Sequence, residues 1–441
     1  MQHRAIPAML ATTAALALLT ACGSSGGAGA GGDARPPGPS VPQVTAGSAT
    51  PARQSYDPPT AFDQAMGVPM PPAASLGRVT LGGSVVKPLP VALDGLTAYV
   101  AATDGLQAVD VTSGKVVGGL APANPALRPS STLSNDNPAT APVIATVGGR
   151  SEVLVAFLEK VPGQGTTAGH DAIELAAMDA GTHQSAWTLS LDVPDGVLDP
   201  YDTRSTGTLL GVRGSTAVLQ VADSSHGAAL AVDLTARKLL WQQTSFTPKA
   251  LTDSGVVGIV PKDPAGVQQN VSALALADGH PLWNSPKDSY QTAIAPAGPT
   301  TVAVWDRDYG SGKSEARLLD AATGHPTVDL GTDLTGTDCR YDDRSVTVCS
   351  TGGTVVAVDA TTGQQLWKLP DDAAHRVAPK VSAVWHGLVY GTTENGPVIL
   401  DARSGADHPG TPAAAPVLVN GYSGLALSDK QDGLFAYPAV G

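Results

Sequence analysis

Gly353–Leu369 reads GTVVAVDATTGQQLWKL. Val355 to Val358 reads as an alternating apolar strand, whose period of 2 would put one face on a core. Asp359 follows, and its carboxylate can accept backbone N–H groups two residues on. Gly363 near the end of the turn supplies positive φ without steric cost. A second short strand ends on Trp367, whose large flat ring needs burial. The stretch therefore predicts a β-hairpin whose outer, tryptophan-bearing strand is covered by a neighbouring element.

Weaker copies of the same stretch recur along the chain. Taking Asp359 as the ruler, equivalent positions fall at Asp110 (LQAVDVTSG), Asp179 (LAAMDAGTH), Asp233 (LAVDLTARKLLW), Ala275 (SALALADGHPLW), Asp320 (RLLDAATGHP) and Asp401 (VILDARSG). A last copy, LFAYP, ends at Pro438. Successive spacings are 69, 54, 42, 45, 39, 42 and 37 residues, a period near 42 with insertions. The outer-strand tryptophan recurs at Trp187, Trp241, Trp283 and Trp367. Preceding strands accompany each copy, such as LPVAL and TAYVAAT before Asp110. Four strands per repeat of this length describe a propeller blade. The fold class expected is all-β: an eight-bladed β-propeller of four-stranded antiparallel blades, with seven blades the alternative if the divergent second copy is not a blade. The last copy stops before an outermost strand. Residues 78–88 (RVTLGGSVVKP) offer one, so an N-terminal strand is expected to close the ring.

Composition agrees with many short strands. Of 441 residues only 15% are charged and 4% aromatic, while Gly (50) and Pro (36) are abundant. A net charge of −13 argues against nucleic-acid binding, which needs a basic face. Met1 to Ala21 has a weakly basic start (His3, Arg4) and an apolar run too short for a comfortable membrane span, which reads as a signal peptide. It ends Leu19-Thr20-Ala21-Cys22-Gly23, similar to the bacterial lipobox. That resemblance implies cleavage after Ala21 and lipidation of Cys22; an ordinary secretory signal with a coincidental cysteine is the alternative. Residues 22–75, rich in Gly, Ser, Ala and Pro, read as a disordered tether that cannot bury a core. Residues 76–441 would then form the propeller.

The pattern A-x-D-x-x-T-G-x-x-x-W, clearest over Ala357–Trp367, resembles the PQQ-like (pyrroloquinoline-quinone-like) β-propeller repeat. The resemblance covers about residues 78–441. Its members include quinoprotein dehydrogenases, sensor domains of receptor kinases and an outer-membrane-assembly lipoprotein. With the Ala/Gly/Pro-rich composition and the lipobox, the chain looks like a lipoprotein of high-G+C Gram-positive bacteria. Fold alone does not assign function.

Cys339 and Cys349 flank the turn Asp343-Arg344-Ser345 symmetrically in TDCRYDDRSVTVCS. They would face each other across a hairpin at a separation compatible with a bond, outside the cytoplasm where disulfides persist. A disulfide is expected; two free buried thiols are the alternative. Other candidates read as structural. Quinoprotein dehydrogenases carry adjacent cysteines, which this chain lacks, so no catalytic residue and no cofactor is assigned. His280, His325 and His408 occupy Gly- or Pro-flanked turn positions in separate copies that point apart around a ring, so no metal is assigned. Trp305–Ser314 (WDRDYGSGKS) ends like a phosphate loop and carries Asp306, Asp308 and Gly310 at calcium-loop spacing. It lacks the earlier glycine of the first motif and the terminal Glu of the second, and reads as a solvated hairpin loop.

The expected function is a non-enzymatic, membrane-anchored binding or scaffold module, monomeric, for an envelope protein, peptide or polymer. Insertions at Lys160–His170, Pro261–Gln269 and Arg307–Ser314 lie between second and third strands and would share one face. The rival is a small-molecule sensor or quinoprotein-dehydrogenase-like enzyme using the central funnel. Its signature would be polar residues on the innermost strands. LPVAL, APVIAT and APVLVN are instead mostly apolar.

Overall fold

The computed structural model describes residues 53–75, 89–127, 139–202, 204–263, 266–332, 338–351, 353–428 and 433–441. The signal peptide, Cys22, most of the tether and residues 78–88 lie outside them. Residues 53–441 form one compact unit. Its secondary structure is strand apart from two single-turn 3-10 helices, Gln64–Met66 and Pro72–Ala74. Among the described residues no helix is long and apolar enough to cross a membrane.

Seven antiparallel sheets follow one another along the chain, an architecture consistent with a β-propeller. The first takes Val91–Asp94, Thr97–Ala102, Gly105–Asp110 and Val116–Leu120, each strand pairing with the next. The second takes Val143–Val147, Arg150–Val161, His170–Asp179 and Ser185–Asp192, and the third Thr206–Arg213, Thr216–Ala222, Gly227–Asp233 and Lys238–Thr244. The fourth is eight-stranded. Its two successive runs, 247–284 and 289–331, meet at the single pair Gln269↔Ser289. The fifth spans Asp338–Tyr341 to Gln365–Leu369, and the sixth has three strands, Lys380–Trp385, Leu388–Thr393 and Gly396–Asp401. Pro409, Pro412 and Pro416 follow where a fourth strand would run, and proline cannot donate to a ladder.

Every ruler position ends a third strand, and the turn chemistry repeats. Asp359 Oδ1 accepts from the N–H groups of Thr361 (3.1 Å) and Thr362 (2.9 Å) and from the Thr362 hydroxyl (3.1 Å). Asp320, Asp401 and Asp179 are engaged in the same way by Thr323, Ser404 and Thr182. Asp110 accepts from Thr112, and Asp233 from the Thr235 and Ala236 N–H groups.

Three of the outer-strand tryptophans tie their unit to the following one. Trp241, Trp283 and Trp367 donate their indole N–H to the carbonyls of Leu276, Ala321 and Ala402, each the residue just past the next ruler position (2.8, 2.9 and 2.8 Å). Their rings lie against Gly279, Gly324 and Gly405, where a Cβ would come within 2.8, 2.6 and 2.7 Å of ring atoms. The glycines are there because the ring leaves no room, as well as for positive φ. Trp187 departs from the pattern. Its partner position is Arg237, which stacks over the ring at 5.1 Å, and its N–H goes to Glu152 Oε2 at 2.9 Å. In the first copy the roles are exchanged. Gly118 holds the tryptophan position and His183 the glycine position, and a Cβ on Gly118 would meet the His183 carbonyl at 2.3 Å.

The N-terminal end differs from the sequence expectation in two ways. The seventh sheet (Leu418–Val419, Ser423–Leu427, Leu434–Pro438) is completed by Val68–Pro69, with Val68 opposite Ala436 and Pro69 opposite Phe435. The strand proposed at 78–88 lies outside the described residues, and the outer position it was to fill is taken by this earlier segment. Residues 53–75, assigned to the tether, pack on the sheets instead. Phe62 is buried with Tyr390, Ile399, Phe435 and Tyr437 between the sixth and seventh sheets. Met70 and Ala74 join a core shared by the first and seventh sheets, with Val91, Val100, Leu425 and Leu434. Averaged composition hid these few large side chains, which suffice to anchor an extended Pro-rich segment.

Cys339 and Cys349 are directly opposite in register and are disulfide-bonded. Asp342 organises the turn between them, its Oδ1 accepting from the N–H groups of Arg344, Ser345 and Val346.

Candidate functional site

In each meander the hairpin turns after the first and third strands lie at one end of the sheet. The loops after the second strand, and the crossovers to the next sheet, lie at the other. The three insertions all fall at this second end, after the strands Arg150–Val161, Gly255–Pro261 and Thr301–Asp308.

From the third sheet through the fourth, these loops and crossovers join into one continuous surface. The crossover 193–205 is tied to the loop 223–226: Asp199 N–H donates to Asp223 Oδ2 (2.9 Å), and the Ser224 N–H (3.0 Å) and hydroxyl donate to Asp202. The next loop approaches it, Gly266 lying against the Ser225 carbonyl. Asn270 Nδ2 donates to the carbonyls of Ser285 (2.7 Å) and Lys287 (3.0 Å) in the following crossover. Tyr309 N–H then donates to the Asp288 carbonyl at 3.0 Å, bringing in the third insertion.

This surface presents large apolar and aromatic side chains. Tyr201 is 90% exposed, Tyr309 48%, and Val267 lies exposed between them. Tyr309 meets Tyr290 edge-on at 6.4 Å, and the Arg307 guanidinium sits over the Tyr290 ring at 5.0 Å. Tyrosine and arginine are the residue types that dominate binding hot spots. Lys287, in the crossover before Ser289, bonds Glu315 at 2.6 Å.

Carboxylates hold the loops in shape. The Ser224 hydroxyl and backbone hydrogen bonds hold the Asp202 carboxyl far below the usual range. Burial pushes Asp223 up, but N–H groups of Ser225, His226 and Asp199 outweigh it and the net shift is downward. The Ser311 N–H and hydroxyl lower Asp308. Asp306 was expected in a solvated loop and is instead fully buried. It pairs with Arg317, whose Nη1 lies 3.3 Å from Oδ1, and strand pairing carries it into the sheet interior. A strand, Ser314–Asp320, follows the Gly312-Lys313-Ser314 run, so no phosphate loop forms there.

His280 bonds Asp278 at 2.6 Å within its own turn, His325 is exposed in its turn and His408 is half-buried in its own. Among the described residues no group of three or more His, Cys, Asp or Glu is placed to hold a metal ion. The first strands of the later sheets are more polar than the three stretches chosen from the sequence. Lys249 and Gln291 lie on the strands that open the two runs of the fourth sheet, and Asp338, Arg340 and Lys380 on the first strands of the fifth and sixth sheets. Burial lowers the Lys249 ammonium from its ordinary value. Arg340 is held by Asp338 and by the Ser382 carbonyl. Neither the exposed tyrosines nor these inner cations were singled out from the sequence; the signal available was Asp-Pro-Tyr-Asp (199–202) inside a long crossover.

Repeat length, turn chemistry and the tryptophan contacts together define a PQQ-like repeat protein. The chain belongs to the family whose model is described as outer membrane protein assembly factor BamB, which matches residues 171–408. A comparison with curated proteins finds no match. Among solved structures the chain is similar to a quinohemoprotein alcohol dehydrogenase from Pseudomonas putida HK5, at 13% identity over 78% of this chain and 70% of that one, with a TM-score of 0.41. It is also similar to the Dos1 propeller (11% identity, 82% and 81%, TM-score 0.42) and to the dihydro-heme d1 dehydrogenase NirN (15% identity, 83% and 75%, TM-score 0.41). At this level of similarity no activity passes from those proteins to this chain.

Proposed function

We propose that the protein is a lipoprotein anchored through Cys22 on the extracytoplasmic side of the membrane. In this reading its eight blades close into a ring and bind an envelope protein, peptide or polymer without catalysis. The observation that carries the binding role is the joined loop surface from Tyr201 to Tyr309, where exposed tyrosines and an arginine sit on loops fixed by buried sheets. The eight-blade count is supported by the two runs of the fourth sheet, each with its own ruler position, Ala275 and Asp320. Ring closure is supported by the core that the first and seventh sheets share and by Asn420 Nδ2 donating to the Gly95 carbonyl at 2.9 Å. A funnel ligand is the second reading, favoured by Lys249: this half-buried cation on an innermost strand has no ion-pair partner among the described residues.

The test is photo-crosslinking on intact cells from a reactive residue placed at Tyr201 or Tyr309, with Gln364 at the opposite end of the sheets as control. The expected result is a specific adduct from the tyrosine positions alone, lost when Cys22→Ser releases the protein. Adducts indifferent to position, or none from the loop surface, would overturn the reading and turn attention to Lys249 and the funnel.

A further inference from the structure

Two glutamates of the second sheet are buried, and among the described residues no cation is paired with either. Glu159 and Glu174 are 0% and 1% exposed. In register, Glu159 faces Ala172 and Glu174 faces Phe157, so the two carboxyls sit diagonally on one face of adjacent strands. The crossover segment 121–127, running from the first sheet to the second, covers them. Ala123 N–H donates to Glu174 Oε2 at 3.0 Å. Asn124 donates to both oxygens of Glu159, through its N–H to Oε1 (3.1 Å) and through Nδ2 to Oε2 (3.0 Å). Leu127 N–H donates to the Leu158 carbonyl and Lys160 N–H to the Pro125 carbonyl, at 2.8 and 3.0 Å. Glu174 Oε1 is buried and has no hydrogen-bond partner among the described residues.

The charges nearby are committed elsewhere. Lys160, next to Glu159 on its strand, bonds Asp171 at 2.8 Å, and His170 bonds Asp192 at 3.0 Å, both on the exposed side. Residues 121–127 carry no ionisable side chain, and the outer strand sets Ser190 opposite Glu174. Two carboxylates in contact inside a protein cannot both ionise cheaply without a cation.

We propose that Glu174, buried beside Glu159, is a proton-operated clasp on segment 121–127, closed while the Glu174 carboxyl is protonated and loosened when it ionises. Burial and the neighbouring Glu159 push the Glu174 carboxyl up to about 7. The step releases one proton to water and changes no other bond. The segment lies at the same end of the sheets as the loop surface, beside the insertion 162–169. Control of partner binding therefore rests on the proposed function; the opening of the clasp does not.

Amide hydrogen exchange on the full chain, without partner, tests it. Rates are corrected for their intrinsic pH dependence and followed from about pH 5.5 to about pH 8.5. Protection at Ala123, Asn124 and Leu127 is expected to fall by about tenfold or more across this range, while the strand Thr216–Ala222 stays level. Glu174→Gln, which imitates the protonated acid, is expected to keep those amides protected throughout. Level protection in the native chain, or the same fall in Glu174→Gln, would overturn the clasp. If the variant does not fold, carboxyl-carbon NMR of the native chain decides: one glutamate must titrate near pH 7. Since no partner is present, a negative crosslinking result and a negative exchange result remain separate findings.

Discussion

The indole N–H of Trp241 donates to the carbonyl of Leu276 at 2.8 Å, and the same ring leaves no space for a side chain on Gly279. One residue thereby satisfies its polar edge and sets the spacing between two consecutive units. Trp241→Ala removes a buried ring and is expected to destabilise the chain by about 3 kcal/mol. Gly279→Ala adds a methyl into the ring at a positive φ and is expected to cost about 2 kcal/mol or more. Much of the Gly279→Ala cost should vanish in the Trp241→Ala background. Urea unfolding of the four chains measures the coupling, and simple additivity would argue against the contact.

Arg317 is the counter-ion of a buried carboxylate, Asp306. Arg317→Met alone strands that charge and is expected to cost about 3–5 kcal/mol. Asp306→Leu with Arg317→Met should recover most of the loss, because a well-packed apolar pair carries no desolvation penalty. Thermal unfolding of the single and double variants checks this.

Phe62 should behave as a core residue. Phe62→Ala is expected to cost about 3 kcal/mol. Truncation to residue 76 should lower the unfolding midpoint well below that of a chain beginning at Arg53. Equal midpoints would return residues 53–75 to the tether.

The Cys339–Cys349 bond closes a short loop within a hairpin. Chain-entropy reasoning gives it about 3 kcal/mol at most, and less here because the hairpin ladder already orders the loop. Cys339→Ser with Cys349→Ser should lower the midpoint modestly without loss of fold. Thiol labelling of the native chain should require prior reduction.

Stability should fall as pH rises toward neutrality. In the folded chain burial and the neighbouring Glu159 push Glu174 up to about 7, from an ordinary value of 4.5, so the native state binds more protons between these two values. Its contribution is intact below about pH 4.5 and is lost as pH rises through about 7, a change of about 3 kcal/mol for this single group. Glu174→Gln should flatten that part of the profile and be the more stable chain at about pH 8. Unfolding midpoints across this range measure the difference.

The repeat was legible because its chemistry is local. Asp359, Thr362, Gly363 and Trp367 lie within one hairpin, and each does there what its residue type implies. The cysteine pairing was legible for the same reason, since both partners belong to one turn. Asp306 was misjudged because strand pairing, invisible in a loop motif, turned its side chain inward toward Arg317. That the three insertions share one end of the sheets was legible, but the joining of the crossover carrying Tyr201 to them was not. Tyr201 and Tyr309 stand 108 positions apart, and only crossovers linked by Asp202, Asn270 and Asp288 place them on one surface.

By itself the sequence determined the all-β repeat, the turn chemistry and the disulfide pairing, because period-2 patterning and turn preferences act over a few residues. Tertiary structure decided what long-range packing decides. It set Val68–Pro69 at the edge of the last sheet, and Phe62 between two sheets far along the chain. It also put Glu159 and Glu174 under a segment that precedes them by some thirty to fifty residues. Those placements depend on which surfaces meet once sheets assemble, and burial of a carboxyl or a phenyl ring has no local signature.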